Sequence, residues 1–123
     1  MKFLVIGGDA AGMSAASRAK RTRPDMTVTV LEETTDVSYS ACGMPYNIAD
    51  AGRDIDDLVV RQARVFREKQ GIDLKTGCRA EAIDTGARLV HAVDHAGNKK
   101  QFSYDNLLIA TGASPIMPEI DGI

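Results

Sequence analysis

The fold is decided by residues 2–23, which read KFLVIGGDAAGMSAASRAKRTR. Residues 2–6 are an apolar run of strand length that stops at Gly7-Gly8, as a strand buried on both faces would. The stretch that follows is rich in Ala, Ser, Lys and Arg and contains no proline, so it predicts a helix. The β-branched run TVTVL at residues 27–31 predicts a second strand. A strand, helix, strand unit favours a right-handed crossover and a parallel sheet.

The rest of the chain contains one further predicted helix and several short strands. Residues 57–70 read mostly as a helix that ends at Gly71, with Val65 and Phe66 as inward contacts. Short strands separated by glycine-containing turns suggest one more strand and a small antiparallel meander; they are predicted at residues 72–75, 80–84, 88–93 and 101–104, with a hairpin turn in 94–100. NLLIA, residues 106–110, is another buried strand. The fold class is therefore α/β.

Composition narrows the possible partners. The chain has 123 residues, enough for one core, and 15 Lys plus Arg against 17 Asp plus Glu give a net charge of −2. This balance gives no reason to expect nucleic acid or an anionic membrane, so we expect a small-molecule partner.

No run approaches the roughly 18 apolar residues of a membrane span. We expect a cytoplasmic protein with reduced thiols. No metal is expected, because there is no paired C-x-x-C and no histidine cluster; His91 and His95 read as surface residues.

The glycines at the first turn predict a phosphate site. They follow a strand and open a helix, which is the context in which the dinucleotide fingerprint has physical meaning. Gly7 permits a tight turn, Gly12 lets the helix approach the strand, and the free N–H groups of the first helical turn favour a pyrophosphate. Asp9 stands where the middle glycine usually lies, so the turn alone is also compatible with a purely packing role. Glu32, 20 residues after Gly12, is placed to accept hydrogen bonds from a ribose diol, and the two features together predict dinucleotide binding.

A second segment, VSYSACGMPY at residues 37–46, contains one of only two cysteines in the chain. Pro45 suits the first turn of a helix, so Cys42 is expected just outside a helix N-terminus, where free N–H groups favour the thiolate. Gly43 keeps access to the thiol open. Taken alone, the segment is equally compatible with a small buried structural cysteine. Cys78 lies at a strand start outside any motif and is predicted to be a packed or partly exposed bystander.

Three segments together resemble a known family: VIGGDAAGMSAASRAKR, VSYSACGMPY and YDNLLIATGASP. They are similar to the FAD-dependent pyridine nucleotide-disulfide oxidoreductases, most of all to the single-cysteine branch with coenzyme A disulfide reductases, NADH oxidases, NADH peroxidases and polysulfide reductases. The resemblance implies a Rossmann-like, FAD-binding, three-layer fold. It covers almost all of this chain but about a quarter of a family member. Residues 1–123 are therefore interpreted as the N-terminal part of an FAD-binding domain from a longer homodimeric enzyme, without its nicotinamide-binding and C-terminal dimerisation domains. The stretch SPIMPEIDGI resembles the segment that crosses into the nicotinamide domain.

The resemblance also implies roles for individual residues. Those expected to bind FAD are Gly7, Gly8, Ala11 and Gly12 at the pyrophosphate, Glu32 at the adenosine ribose, the backbone of Ala80 at the adenine, and Thr111 and Gly112 where a strand end closes over the cofactor. The positions that match coenzyme A contacts in the family are Ser14, Arg18, Arg21 and Ser38, although the two arginines also fit a solvated helix face. Ala41 stands where some coenzyme A enzymes have an asparagine, which leaves the substrate open.

Cys42 has no partner at the spacing of the paired-cysteine enzymes, because neither Val37 nor Asn47 is a cysteine. Its oxidised form must then be a mixed disulfide, a persulfide or a sulfenic acid. The function predicted first is NADH- or NADPH-dependent reduction of coenzyme A disulfide or polysulfide with Cys42 as the catalytic residue. One alternative is an NADH oxidase or peroxidase that forms a sulfenic acid. Another is a non-catalytic nucleotide-binding module, since the isolated chain is expected to hold FAD weakly, to self-associate and not to turn over NADH.

Overall fold

A computed structural model describes residues 1–114, 116–120 and 122. The helices are α1 (Ala10–Thr22), α2 (Met44–Ala49) and α3 (Ala63–Gln70). The strands are β1 (Lys2–Ile6), β2 (Thr27–Leu31), β3 (Asp73–Lys75), β4 (Cys78–Asp84), β5 (Leu89–Asp94), β6 (Lys99–Ser103) and β7 (Asn106–Ile109).

Four strands form the predicted parallel sheet, in the order β3-β2-β1-β7. β1 lies inside this sheet, where Val5 pairs with Val30 of β2 and with Leu108 of β7. Alternate β1 side chains enter two different clusters: Val5 packs on one face, and Leu4 and Ile6 pack on the other. Because both faces are covered, β1 after Lys2 is an unbroken apolar run rather than an alternating one.

The two faces of the parallel sheet are covered by different layers. On one face, Val5 and its neighbours pack against Met13 and Ala16 of α1 and Phe66 of α3. On the other face, the antiparallel sheet, in the order β4-β5-β6, contributes Val90 among its buried side chains. The predicted α/β fold of Rossmann type, with a parallel sheet, a small antiparallel meander and three layers, is confirmed.

The antiparallel sheet contains the predicted hairpin turn between β5 and β6. Asp94 accepts hydrogen bonds from the backbone N–H groups of Ala96 and Asn98, and Gly97 has a φ of 82°. The hydrogen bonds from Asn98 lower the pKa of the Asp94 carboxyl from 3.8 to about 2. This turn depends on local hydrogen bonds, which explains why the sequence predicts it correctly.

The predicted helix over residues 57–70 is wrong in its first half. A short 3₁₀ turn occupies Ile55–Leu58, and α3 begins only at Ala63. The reason is tertiary: the Leu58 carbonyl accepts a hydrogen bond from the Ser40 N–H, and the Val60 N–H donates to the Ser38 carbonyl. Because these backbone groups are hydrogen-bonded to another segment of the chain, they cannot form the hydrogen bonds that would extend a helix. The end of α3 is as predicted, with Gly71 in the left-handed region at a φ of 63°. Phe66 is buried, whereas Val65 is only half-buried.

The last residues include some outside the described part of the chain. The prediction of a crossing segment falls partly on Pro115, Asp121 and Ile123, which lie outside the described residues. Within the described ranges, no helix is long and apolar enough to cross a membrane.

Candidate functional site

The first turn is built so that α1 begins directly against the end of β1. Gly7 has a φ of 102°, and a Cβ added there would collide with the Ala110 carbonyl oxygen. A Cβ on Gly12 would collide with the Gly7 carbonyl oxygen and lie 3.1 Å from Cγ1 of Val5. Both predicted steric roles are confirmed, because each position tolerates only glycine without movement of the surrounding backbone.

The beginning of α1 has backbone N–H donors without an acceptor among the described residues. The first helical hydrogen bond runs from the Met13 N–H to the Asp9 carbonyl, at 2.9 Å. No described residue accepts a hydrogen bond from the N–H groups of Ala10, Ala11 or Gly12, and the Asp9 side chain does not cap them. Together with the dipole of a 13-residue helix, these donors favour an anion.

Glu32 lies against the same turn. Its Oε2 accepts a hydrogen bond from the Gly8 N–H at 2.7 Å, and its Oε1 accepts from both the N–H and the hydroxyl of Thr34 at 2.8 Å. An ionised carboxylate offers about four acceptor positions, so three bonds leave room for a further donor such as a ribose hydroxyl. The side chain is thereby fixed next to the glycine turn.

The beginning of β4 lies beside Glu32. The Cys78 N–H donates to the Glu32 carbonyl oxygen at 2.8 Å, and Ala80 follows two residues later on β4. β4 is an edge strand, and its pairing with β5 shifts register between Ala80 and Ala82. Backbone groups on its outer side are therefore not used by the antiparallel sheet among the described residues.

Thr111 and Gly112 are brought to the first turn by β7. The Ala110 N–H donates to the Ile6 carbonyl at 2.8 Å, so the chain leaves β7 at the edge of the sheet where β1 also ends. Gly112 has a φ of 66°, and nothing lies within 4 Å of a Cβ placed there. The predicted cofactor residues thus come together around the carboxyl ends of the parallel strands, where ligands of such sheets bind.

A cavity of about 590 Å³ lies on the other side of the start of α1. Four of the predicted catalytic and substrate residues line it together, namely Ser14, Arg21, Ser38 and Cys42. Arg18 is exposed on α1 and is not among the lining residues, so the structure does not bring it to this cavity. The predicted position of Cys42 is confirmed: it is exposed and lies in the 3₁₀ turn Ala41–Gly43, directly before α2.

The cysteine segment is held by backbone hydrogen bonds on two sides. The Ser38 N–H donates to the Gly8 carbonyl at 3.0 Å, and the Ser38 carbonyl accepts from the Val60 N–H at 3.1 Å. Ser38 has a φ of 55°, a left-handed conformation that costs a non-glycine residue about 1 kcal/mol or more. Within the segment, the Ser40 hydroxyl lies 3.4 Å from the Cys42 sulfur. The hydrogen bond from Ser38 therefore connects the backbone of the cysteine segment to the glycine turn.

The two cysteines occupy opposite environments. Cys78 is buried between the two sheets, and this burial raises the pKa of its thiol, with a further rise from the Asp94 carboxylate. The prediction that it is a packed bystander is confirmed as far as its packing is concerned. In the described residues neither cysteine forms a disulfide. The same residues contain no group of His, Cys, Asp or Glu that could hold a metal ion.

We expect iodoacetamide to alkylate Cys42 and not Cys78 in the native protein. Exposure makes Cys42 accessible, whereas the raised pKa and burial of Cys78 suppress both its thiolate and its access. Peptide mapping by mass spectrometry at neutral pH should give labelled Cys42 first, and labelled Cys78 only after unfolding in guanidinium. Equal labelling of the two thiols in the native protein would contradict this arrangement.

The family profile described as pyridine nucleotide-disulphide oxidoreductase matches residues 1–123. The chain belongs to this family. Members of the pyridine nucleotide-disulphide oxidoreductase family are FAD-dependent enzymes that use NAD(P)H. The resemblance seen in the sequence is thereby confirmed at the level of the family.

Several relatives of this chain are named as enzymes. The chain is 42% identical over 122 residues to an NAD(P)H coenzyme A polysulfide/persulfide reductase of Pyrococcus horikoshii, covering 99% of this chain and 26% of that protein. It is 32% identical over 122 residues to an NADH oxidase of Methanocaldococcus jannaschii, covering 99% of this chain and 27% of the relative. The solved NAD-dependent persulfide reductase of A. fulgidus matches with a TM-score of 0.90 and 38% identity, over 99% of this chain and 24% of that one. The chain thus spans about a quarter of the length of these relatives.

Sequence reasoning missed three groups of the cavity. Asp9, which in the sequence is only a departure from the glycine pattern, lines the same cavity as Cys42. Arg61 also lines the cavity, and Ser40 contacts the thiol. Asp9 and Ser40 could have been suspected from their closeness in sequence to the motifs. Arg61 follows no motif, and only the tertiary pairing of residues 58–60 with the cysteine segment places it there.

Proposed function

We propose that this chain is the N-terminal part of the FAD-binding domain of an NAD(P)H-dependent disulfide reductase that acts on coenzyme A disulfide or polysulfide. One observation carries the proposal: the predicted pyrophosphate site and the cavity that contains Cys42 both include the start of α1. The N–H groups of Ala10 and Gly12 have no acceptor among the described residues and belong to the first turn of α1, while Asp9 and Ala10 also line the cavity that contains the exposed Cys42. A nucleotide bound at the turn would therefore lie beside a reactive thiol.

The residues around the glycine turn fit FAD. We assign the pyrophosphate to Gly7, Gly8, Ala11 and Gly12, because the glycines keep side chains away from the turn and the N–H groups of Ala11 and Gly12 have no acceptor among the described residues. Glu32 has a spare acceptor for the ribose, and the edge strand β4 offers the backbone at Ala80 to the adenine. Thr111 and Gly112 close the site from β7. When bound, FAD accepts a hydride from NADH or NADPH and supplies the two electrons of the reduction.

Cys42 supplies the nucleophile in this proposal. Its thiolate attacks one sulfur of a disulfide RS–SR, forming a Cys42–S–S–R bond and breaking the RS–SR bond, and the released RS⁻ takes a proton from solvent. Two electrons that derive from NADH or NADPH then cleave the mixed disulfide, which restores the Cys42 thiolate and releases the second RS⁻. The contact with the Ser40 hydroxyl offers the thiolate a hydrogen bond. With a polysulfide the same attack gives a persulfide on Cys42.

The cavity wall supports a thiol substrate with polar groups. We assign Ser14, Arg21 and Ser38 to substrate binding, because they line the cavity with Cys42. Arg18 keeps its predicted substrate role only if the substrate extends beyond this cavity. The names of the relatives with 42% and 41% identity, a coenzyme A polysulfide/persulfide reductase and a CoA-dependent sulfur oxidoreductase, support the same substrates. We further propose a cytoplasmic homodimer for the complete protein.

A steady-state panel on the complete protein tests this function. NADH or NADPH oxidation is followed at 340 nm with coenzyme A disulfide, polysulfide, hydrogen peroxide and oxygen as acceptors. The proposal expects the largest kcat/KM with coenzyme A disulfide or polysulfide. A larger kcat/KM with peroxide or oxygen would instead support an oxidase or peroxidase that forms a Cys42 sulfenic acid, as the NADH oxidase name of one relative suggests.

The chain by itself is proposed to be non-catalytic. It spans a quarter of its relatives, so a purified 123-residue chain is expected to bind FAD weakly and to leave NADH unchanged. Flavin absorbance in a stoichiometric ratio to the purified chain would contradict the weak-binding part of this proposal.

A further inference from the structure

Arg61 is held in a defined position on the wall of the Cys42 cavity. Its guanidinium carbon lies 5.6 Å from the ring centroid of Phe66, within the range of a cation–π contact. Phe66 is only 3% exposed and packs in the core beneath α1, so its ring is a fixed support. Stacking covers one face of a guanidinium and leaves its N–H edge available to other partners. The exposed Arg61 side chain is thus oriented by the ring, and no described residue accepts a hydrogen bond from its guanidinium.

The cavity runs along one face of α1. The α1 residues that line it follow helical spacing, namely Ala10, Met13, Ser14, Ser17 and Arg21, with Asp9 immediately before the helix. At 1.5 Å per residue, Asp9 and Arg21 are separated by about 18 Å along the helix axis. An extended ligand therefore fits this cavity better than a compact one.

Charge is distributed unevenly along this cavity. Asp9 stands at the start of α1, whereas Arg21 stands in its last turn and Arg61 comes from the segment before α3. None of the ion pairs between described residues involves Arg21 or Arg61. These two guanidinium groups, whose donors no described residue uses, outnumber the one carboxylate of the cavity and favour an anion there.

We propose that Arg61 determines substrate specificity by binding a phosphate group of an extended, phosphate-bearing thiol whose sulfur reaches Cys42. The inference rests on the proposed function and narrows its substrate from coenzyme A disulfide or polysulfide to the disulfide of such a phosphate-bearing thiol. A guanidinium that is already ordered loses little freedom on binding, and its planar edge matches two phosphate oxygens. Arg21 contributes a second cation from α1. Cys42 remains the catalytic residue.

Kinetics with two related disulfides test this role in the complete, FAD-loaded protein. Coenzyme A disulfide carries phosphates, whereas pantethine is its phosphate-free counterpart. Arg61→Ala is expected to raise the KM for coenzyme A disulfide about tenfold or more, the usual scale for a lost charged hydrogen bond, and to change kcat little. The KM for pantethine is expected to stay within about twofold. Arg61→Lys keeps the charge without the planar fork and should lie in between.

Arg53→Ala is the matched control. Arg53 lies 5.9 Å from the ring of Tyr46, so it is also an arginine stacked on an aromatic ring, but neither residue lines the cavity. Its removal should leave both KM values unchanged. An Arg61→Ala effect of equal size on both disulfides, or no effect on either, would overturn the proposal and leave Arg61 a structural role at most.

A direct binding measurement separates this inference from the proposed function. Should the wild-type protein reduce neither disulfide, the proposed function fails, and Arg61 is then tested by calorimetric titration with reduced coenzyme A. Binding that weakens about tenfold in Arg61→Ala, and not in Arg53→Ala, would still support the phosphate contact. Equal affinity in the wild type and in both variants, or no binding at all, would contradict it.

Discussion

Cys42→Ser is expected to reduce disulfide reductase activity of the complete protein at least about a thousandfold, because the nucleophile that forms the mixed disulfide is lost. Serine keeps the size of the side chain but is not a nucleophile toward sulfur at neutral pH. Cys42 is exposed on a short turn outside the core, so the substitution should leave the free energy of unfolding nearly unchanged. The expected variant is folded, contains flavin and is inactive toward disulfides.

The measurement needs two readouts. Flavin absorbance should still be bleached by NADH or NADPH in the Cys42→Ser protein, whereas release of thiol from coenzyme A disulfide should be lost. Cys78→Ala is the matched control, since it removes the buried thiol and should keep activity within about twofold even though it leaves a small cavity. Full activity of Cys42→Ser with every acceptor of the panel would show that the proposed thiol mechanism is wrong.

Gly12→Ala is expected to be strongly destabilising, against the usual trend for this substitution. In an unobstructed helix, replacement of glycine by alanine stabilises by about 1 kcal/mol. At Gly12 the new methyl group would collide with the Gly7 carbonyl and crowd Val5 at 3.1 Å, so α1 must move away from β1. Overpacking of this kind costs about 1–3 kcal/mol, and the shift also displaces the amides of the proposed pyrophosphate site.

Flavin content and thermal unfolding measure this effect. Gly12→Ala protein should purify with little FAD and unfold at a lower temperature than the wild type. Gly97→Ala is a control of the same chemistry, because nothing lies within 4 Å of a Cβ at that hairpin position. It should retain flavin, at a cost of about 1 kcal/mol for the left-handed backbone. If Gly12→Ala retained flavin and gained stability, close packing of α1 on β1 could not be the reason for this glycine.

Interactions between residues close in sequence make the first third of the fold predictable. The tight turn at Gly7, the close approach at Gly12 and the apolar run of β1 all leave short-range patterns, and the structure contains each of them. The position of Cys42 before α2 also follows from a local signal, the proline in the first turn. Pairings between distant segments leave no such pattern.

Residues 58–60 illustrate what the sequence could not predict. The sequence predicts that they belong to a helix, but their hydrogen bonds to Ser38 and Ser40 hold them at the end of a 3₁₀ turn and in an isolated bridge with Tyr39. That pairing brings Arg61 to the cavity, while Phe66 enters the core and supports its guanidinium. Because a long-range contact assembles each of these, the sequence predicts the position of Cys42 but not that of Arg61.

The position of β7 beside β1 has a consequence for how the chain folds. The Lys2 N–H donates to the Asp105 carboxylate across a sequence separation of 103 residues, and Phe3 pairs with Asn106. The sheet cannot close until nearly all of the described chain has left the ribosome, and closing so long a loop costs entropy before any contact compensates for it. We therefore expect slow folding in which β1, α1 and β2 form first and β7 docks last.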